Sequence, residues 1–378
     1  MIWQIVTGEY PPDEGGVGDY TRVVAHGLAA AGDEVHVWTP ETIKNSEENN
    51  AVQIHRLTDH FGPRAILQLD RVVARSSADC VLIQYVPQAF GCRGLNLPFC
   101  GWLYGRRPKR LMMMFHEVTF PSERGDSRKR RLLGTVSRLM ASLASQAASQ
   151  VFVSTPIWTQ VLRSQCGFEG EARWLPLPSV IPVRCDKAAV RTIRSRCNAA
   201  KSVLIGHFSS YPESSRAQLG SILSDILARR AEAAVLLLGR HSRDFRTSLA
   251  ARQPNLAARI FAAGALSKDE LSDHLSACDV MLQLYPDGAC ARRTTLVTAL
   301  AHGRPIVTNA GPATEPMWKQ TTAVALAQNE NQAIGGWLER LIDEPKLRKS
   351  YSEAAVSLYQ ERFELRHGIK LLRAAGCE

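Results

Sequence analysis

The chain has 378 residues, more than one hydrophobic core usually organises, which predicts two domains and excludes a small disulfide-stapled scaffold. With 45% apolar and 22% charged residues and no low-complexity tract, long disorder and fibrous classes are excluded as well. The net charge of +10 points to an anionic partner, among which charge alone does not choose: a nucleotide, a phosphorylated substrate, an anionic membrane surface or nucleic acid.

Short runs rich in β-branched residues alternate with longer helical patterns, the signature of βαβ units and parallel sheets. In the first half the expected strands are Ile2–Val6, Val35–Trp38, Val52–Leu57, Val81–Gln84, Leu111–Phe115 and Val151–Ser154. Helical stretches lie at Val17–Ala31, Arg64–Ser76, Lys129–Ser149 and Thr155–Ser164. Three prolines in Trp174–Pro182 deny backbone donors to a strand or helix, which places a domain linker there. A second alternation follows, with strands at Val203–His207, Ala234–Leu238, Arg259–Ala262, Val280–Leu284 and Pro305–Thr308. Its helices are expected near Gln218–Ala228, Lys268–Ala277, Thr295–His302 and Gln332–Ile342. The tail from Lys346 to Arg373 reads as one or two helices. The expected fold class is α/β with two domains built on open parallel sheets, 1–180 and 181–355, and a C-terminal helix over 356–378 as a candidate to pack back toward the first domain. Open α/β sheets bind ligands at the carboxyl ends of their strands, so two facing domains would enclose a central cleft.

Three stretches carry candidate chemistry. After the first strand, Glu9-Tyr10-Pro11-Pro12 leads to Gly15-Gly16-Val17-Gly18-Asp19-Tyr20, a glycine loop entering a helix. Gly15 and Gly16 let a ligand approach the backbone, and the amides at the helix start favour an anion; the alternative is a tight turn without a ligand. His116 and Glu117 follow the apolar run Leu111–Phe115, so they emerge at the carboxyl end of a buried strand, where Glu117 could orient the imidazole or cap the next segment. After Val280–Leu284 come Asp287, Gly288, Cys290, Arg292, Arg293, Thr294, Thr295 and Thr298. Guanidinium forks, hydroxyls and helix-start amides in one place suit a diphosphate; a solvated arginine pair with Thr294 as N-cap is the alternative.

Arg128, Lys129, Arg130 and Arg131 begin a helix interleaved with Leu132, Leu133, Val136, Leu139, Met140 and Leu143. Such a basic amphipathic pattern suits an anionic membrane surface, or equally a sheet-packed helix with a solvated basic face. No nucleic-acid module appears and no aromatic residues interleave with the cluster, so no nucleic-acid partner is expected. The nine cysteines form no Cys-x-x-Cys pair, which indicates neither a disulfide framework nor a metal ribbon and fits a reducing compartment. With no secretion-signal pattern and no apolar run near the ~20 residues of a membrane span, the expected location is cytoplasmic, soluble or peripheral at the inner face of the membrane.

Taken together, Glu9–Pro12, Gly15–Tyr20, His116-Glu117, Gly206 at the start of the second sheet and Ala299-Leu300-Ala301-His302-Gly303-Arg304-Pro305-Ile306-Val307 make the chain resemble the GT-B glycosyltransferases of the family 4 type over nearly its whole length. The resemblance implies a nucleoside diphosphate sugar held mainly by the C-terminal domain, an acceptor bound mainly by the N-terminal one, and retention of anomeric configuration. Gly15 and Gly16 would approach the donor phosphates or the transferred sugar, and His116 would contact the sugar. No metal and no further cofactor is implied.

The chain departs from the family in two places. Family 4 commonly has two glutamates eight positions apart in the late motif; Cys290 and Thr298 stand there and supply no carboxylate, while Asp287 lies nearby at a different offset. The arginine and lysine that usually follow the first strand of the second domain are missing from Gly206–Tyr211, so Arg292 and Arg293 are expected to hold the diphosphate. The resemblance implies two Rossmann-like domains and transfer of a sugar from the nucleoside diphosphate donor, and the basic amphipathic helix favours a glycan or lipid-linked acceptor. A non-catalytic nucleotide-sugar binder or a sugar-nucleotide epimerase on the same fold are the alternatives.

Overall fold

In the computed structural model, which describes residues 1–42, 51–75, 79–120, 127–199 and 202–377, the chain forms two units. Met1–Leu177 and Leu365–Glu378 make the first, and Pro178–Glu364 the second.

The first unit is built on β1 (Ile2–Thr7), β2 (Glu34–Pro40), β3 (Gln53–Leu57), β4 (Cys80–Tyr85), β5 (Leu111–Phe115), β6 (Gln150–Val153) and β7 (Ala172–Trp174). All are parallel, in the order β3-β2-β1-β4-β5-β6-β7. Strands β4 and β5 are buried along their whole length, which is why they read as continuous apolar runs rather than alternating ones. One face of the sheet packs Met113, Phe115, Phe99 and Met140; the other packs Trp3, Ile5, Met112, Met114 and Leu372.

One strand and one α-helix of this unit were not expected. At three residues β7 is too short to show a period, and its Trp174 adjoins the proline run. The helix Leu97–Arg106 has two glycines and no clear apolar stripe, yet it carries a start signal: Asn96 accepts from the Phe99 amide at 3.1 Å and a proline occupies the first turn. The helix expected over Arg64–Ser76 spans Pro63–Arg75, and Ser76 lies outside the described residues.

The tail helix Leu365–Cys377 packs on Gly16–Ala30, where a side chain at Gly27 would stand 2.9 Å from Ile369. Buried Asp33 ties the two ends of the unit together. It accepts from the Met1 amino group at 3.0 Å and the Trp3 indole at 3.2 Å, and pairs with Arg373 at 3.1 Å. Residue 356, the expected start of the last segment, falls inside the helix Pro345–Leu358; the chain changes unit after the π-helical turn Tyr359–Phe363.

The second unit holds β8 (Val203–Phe208), β9 (Ala233–Leu238), β10 (Ile260–Gly264), β11 (Val280–Gln283), β12 (Ile306–Asn309) and β13 (Ala325–Ala327). They too are parallel, ordered β10-β9-β8-β11-β12-β13. The helix Lys268–Ala277 starts in a capping box of Ser267 and Glu270. Lys187–Arg196 and Ser242–Arg252 were missed because each buries few side chains, Ile193 in the first and Phe245 and Leu249 in the second.

Both sheets wind outward in two directions from a pair of central strands, β1/β4 and β8/β11. The direction in which successive strands are added reverses there, and in open α/β sheets that switch point, at the carboxyl ends of the strands, is where ligands bind.

Candidate functional site

In the first unit the loops after β1, β4 and β5 meet at the switch point. The expectation of open amides at the start of the helix Gly16–Ala30 needs correction. The carboxylate of Glu9 accepts from the Val17 amide at 2.8 Å and the Gly18 amide at 3.0 Å, so the protein's own anion caps this helix. A Cβ on Gly15 would stand 2.1 Å from that carboxylate and displace it from the cap, whereas nothing lies within 4 Å of the position a Cβ would take on Gly16. Gly16 therefore leaves the loop backbone open on that side.

His116 follows β5 and is buried. Its Nε2 lies 2.8 Å from Oε1 of Gln84 in β4. An amide oxygen only accepts, so Nε2 carries the proton and Nδ1 is left as an acceptor. Burial pulls the imidazole pKa down to about 3, keeping the ring neutral. The Trp158 indole and the Ser154 hydroxyl both donate to the His116 carbonyl, at 2.8 and 3.2 Å, and Tyr20 packs its ring edge-on at 4.9 Å. Glu117 does not orient the imidazole: it accepts from Gln88 Nε2 at 2.9 Å. The residue sequence reasoning missed is Gln84, whose Nε2 is buried without a partner among the described residues. A glutamine inside the apolar run Cys80–Tyr85 was the available signal, since a buried amide needs partners.

In the second unit the loop from Tyr285 to Arg293 connects β11 to the helix Thr294–Ala301. Gly288 takes a left-handed φ of 89°, and a side chain on it would stand 2.3 Å from the Gly311 amide, so the turn admits only glycine. Asp287 is not a spare carboxylate. It pairs with Arg292 at 2.9 Å and with Arg293, holding two guanidinium forks side by side. Arg293 also lies over the Tyr285 ring, 4.9 Å from its centroid, and the Tyr285 hydroxyl is 2.8 Å from Thr295 Oγ1. The N-cap is Arg293 rather than Thr294, which is the first helical residue.

Cys290 and Thr298 are both buried. Burial pushes the Cys290 thiol up to about 11, so it stays protonated, and the Thr298 hydroxyl lies 3.3 Å from Ser179 Oγ. Gly206 is not a ligand-facing loop residue: it lies within β8, where a Cβ would stand 2.5 Å from Met281 Sδ and 2.6 Å from Cys278 Sγ. Sequence reasoning also missed Glu315, a buried carboxylate that accepts from the Ala291 amide at 3.0 Å and the Trp318 indole at 2.7 Å. It braces the arginine loop from outside.

The basic helix Arg128–Ala147 buries Gly134, Ser137, Met140 and Ala141 and exposes Arg128, Lys129, Arg130 and Arg131. Leu132 and Leu139 are 59% and 50% exposed. A groove of about 500 Å³ beside them is lined by Arg93, Leu95, Lys129, Arg130, Leu132 and Leu133. Among the described residues no cluster of three or more His, Cys, Asp or Glu could hold a metal ion, and no helix is long and apolar enough to cross a membrane.

Residues 15–178 match the model of the Glycosyl transferase 4-like domain. Sucrose-phosphate synthase from Thermosynechococcus elongatus superimposes with a TM-score of 0.74 at 16% identity, over 99% of this chain and 97% of that one. Anabaena Alr3699/HepE in complex with UDP and glucose gives 0.71 at 14% identity, over 99% and 98%. WaaG, a glycosyltransferase involved in lipopolysaccharide biosynthesis, gives 0.69 at 16% identity, again over 99% and 98%. No curated protein matches the sequence. Two Rossmann-like units with the strand orders above, and likeness over nearly all of each of these chains, give the protein the GT-B fold, with its residues 15–178 matching the Glycosyl transferase 4-like domain.

Proposed function

We propose that the protein is a glycosyltransferase that moves a sugar from a nucleoside diphosphate sugar to an acceptor, with retention of configuration and without a metal ion. The observation that carries this reading is the pair Arg292 and Arg293, held side by side by Asp287 at the start of a helix beyond the carboxyl end of β11. Two guanidinium forks and a helix N-terminus complement a diphosphate in charge and geometry. In the reaction the bond from the sugar C1 to the diphosphate oxygen breaks and the acceptor oxygen bonds to C1 on the same face. The acceptor proton passes to the departing diphosphate. Charge grows on that leaving group, so the arginine pair stabilises the transition state more than the ground state.

The second unit, together with Gly288, Thr294 and Thr295, serves the donor, and the first unit serves the acceptor. His116 presents Nδ1 as an acceptor for a sugar hydroxyl, and Gly16 gives the loop its close approach. UDP accompanies the Anabaena protein of similar fold, which makes uridine the first base to test. The exposed leucines and four basic residues at the start of Arg128–Ala147 favour an acceptor at an anionic membrane surface: a lipid-linked or surface glycan, reached from the cytoplasmic side.

The test is a thermal-shift panel of UDP-, GDP-, ADP- and dTDP-sugars on the wild type and on Arg292→Ala/Arg293→Ala. A ligand at 100 times its Kd stabilises the native state by about 2.7 kcal/mol. The expected result is a shift for one base that the double variant loses, followed by release of that nucleoside diphosphate when acceptor lipid is added. No shift for any nucleotide overturns the reading. Donor binding without diphosphate release under any acceptor favours the non-catalytic binder, and donor turnover without acceptor favours the epimerase.

A further inference from the structure

A second concave site lies at the far edge of the second sheet. A cavity of about 720 Å³ is lined by Arg196, Arg243, Arg246 and His274 over a floor that includes Leu236 and Phe261. Its volume is within the range of small-molecule sites. In the sheet order β10 stands three strands away from β11, so this cavity is separate from the arginine loop that follows β11.

Arg243, Arg246 and His274 are positioned before any ligand arrives. Arg243 Nη2 donates to the Ala263 carbonyl at 3.0 Å, and Arg246 Nε donates to the Ile260 carbonyl at 2.7 Å. Both guanidiniums are thereby pinned to the edge strand, and ordering them costs a ligand little. The two Nη groups of Arg246 make no bond among the described residues, and Arg196 has no ion pair or hydrogen bond there. The carboxylate in the lining, Glu270, is turned to its capping box and accepts from the Ser267 amide and hydroxyl at 2.9 and 2.8 Å. His274 Nδ1 is 2.7 Å from the Glu270 carbonyl, which fixes the ring against the same wall. Three guanidiniums facing one already engaged carboxylate leave a positive concavity with an apolar and aromatic floor.

We propose that this cavity binds a phosphorylated small molecule with an apolar or planar body, the phosphate lying among Arg196, Arg243 and Arg246 and the body on Phe261. A phosphate accepts paired N–H donors from a guanidinium fork, and an aromatic floor accepts a flat or apolar face. An acidic peptide adding a strand to β10 is disfavoured, because Arg243 and Arg246 already occupy carbonyls that such a strand would need.

The probe is phenyl phosphate, titrated calorimetrically into the full chain, with phenol, inorganic phosphate and an acidic decapeptide alongside. Phenyl phosphate is expected to bind more tightly than phenol or inorganic phosphate. Arg196→Glu should weaken it about tenfold while leaving the melting temperature unchanged, since Arg196 is exposed. Arg293→Ala should leave it intact. The proposal is overturned if the wild type does not bind phenyl phosphate, if Arg196→Glu binds it as the wild type does, or if Arg293→Ala abolishes the binding. Equal binding of phenol, or binding of the peptide alone, overturns it too. The measurement does not depend on the transferase reading, whose own test is donor binding at the other loop.

Discussion

The Gln84 amide oxygen lies 2.8 Å from His116 Nε2, so a residue of β4 sets the tautomer of a histidine that follows β5. With Nε2 donating to Gln84, Nδ1 is the one nitrogen able to accept from a substrate. Replacing Gln84 by Leu removes the constraint and is expected to lower kcat about tenfold, with the KM for donor changed less. Gln84→Glu places a carboxylate against the ring and raises its pKa, so the acid limb of the kcat profile should move to higher pH. Steady-state kinetics across pH check both. An unmoved profile in Gln84→Glu makes the pair a packing feature only.

Asp287 competes with any diphosphate for Arg292 and Arg293. Asp287→Asn removes a negative charge from beside both guanidiniums, and calorimetry should show nucleoside diphosphate binding tightened by about 1 kcal/mol, the scale of a partly screened charge at this separation. Arg293→Ala should weaken the same binding by about 1.5–3 kcal/mol, the size of a lost charge-assisted hydrogen bond.

Glu315→Ala leaves the Ala291 amide and the Trp318 indole without their buried acceptor. The expected cost is about 2–4 kcal/mol, seen as a melting temperature several degrees lower. Glu315→Gln, which keeps one acceptor oxygen, should fall between Ala and the wild type. Because the Ala291 amide belongs to the arginine loop, nucleotide binding should weaken in step with stability.

Burial lowers the pKa of His207 to about 4 and that of His116 to about 3, and shifts His55 and His302 in the same direction. Each native-state value lies below the unfolded one of about 6.5. The unfolded chain therefore takes up protons that the native one refuses. For His207 and His116 stability is fully present above pH 6.5 and is lost as pH falls toward 4, by up to about 1.4 kcal/mol per pH unit for each. Denaturant melts at pH 7.5 and 5.0 should show this loss. In His207→Gln the difference should shrink by about 2 kcal/mol.

Leu132→Asp/Leu139→Asp should abolish flotation of the protein with phosphatidylglycerol vesicles, and wild-type flotation should fall as salt is raised past about 0.15 M, where the Debye length is near 8 Å. Both leucines are exposed, so the double variant should melt as the wild type does. Wild-type protein that stays with the soluble fraction at low salt makes the basic face a solvated one.

The sequence by itself determined the class of fold and the addresses of most candidate groups. Strand runs such as Ile2–Val6 and Leu111–Phe115 and the helical stretches between them carry the βαβ period locally, and a glycine loop, His116 or an arginine pair placed directly after a strand must emerge at its carboxyl end. Short or weakly periodic elements, β7 and the helix Lys187–Arg196 among them, escaped because their stability comes from the sheet edge or a single buried side chain rather than from their own pattern.

What each candidate group does was decided by partners far away in the chain. Gln84 meets His116 across 32 positions and Glu315 meets Ala291 across 24. Glu9 reaches the helix start eight residues on, filling the anion position that the glycine loop advertised. Periodicity reports which face of an element is buried. Which polar group is left to satisfy another inside the fold depends on strand order and register, and those are fixed when the sheets assemble.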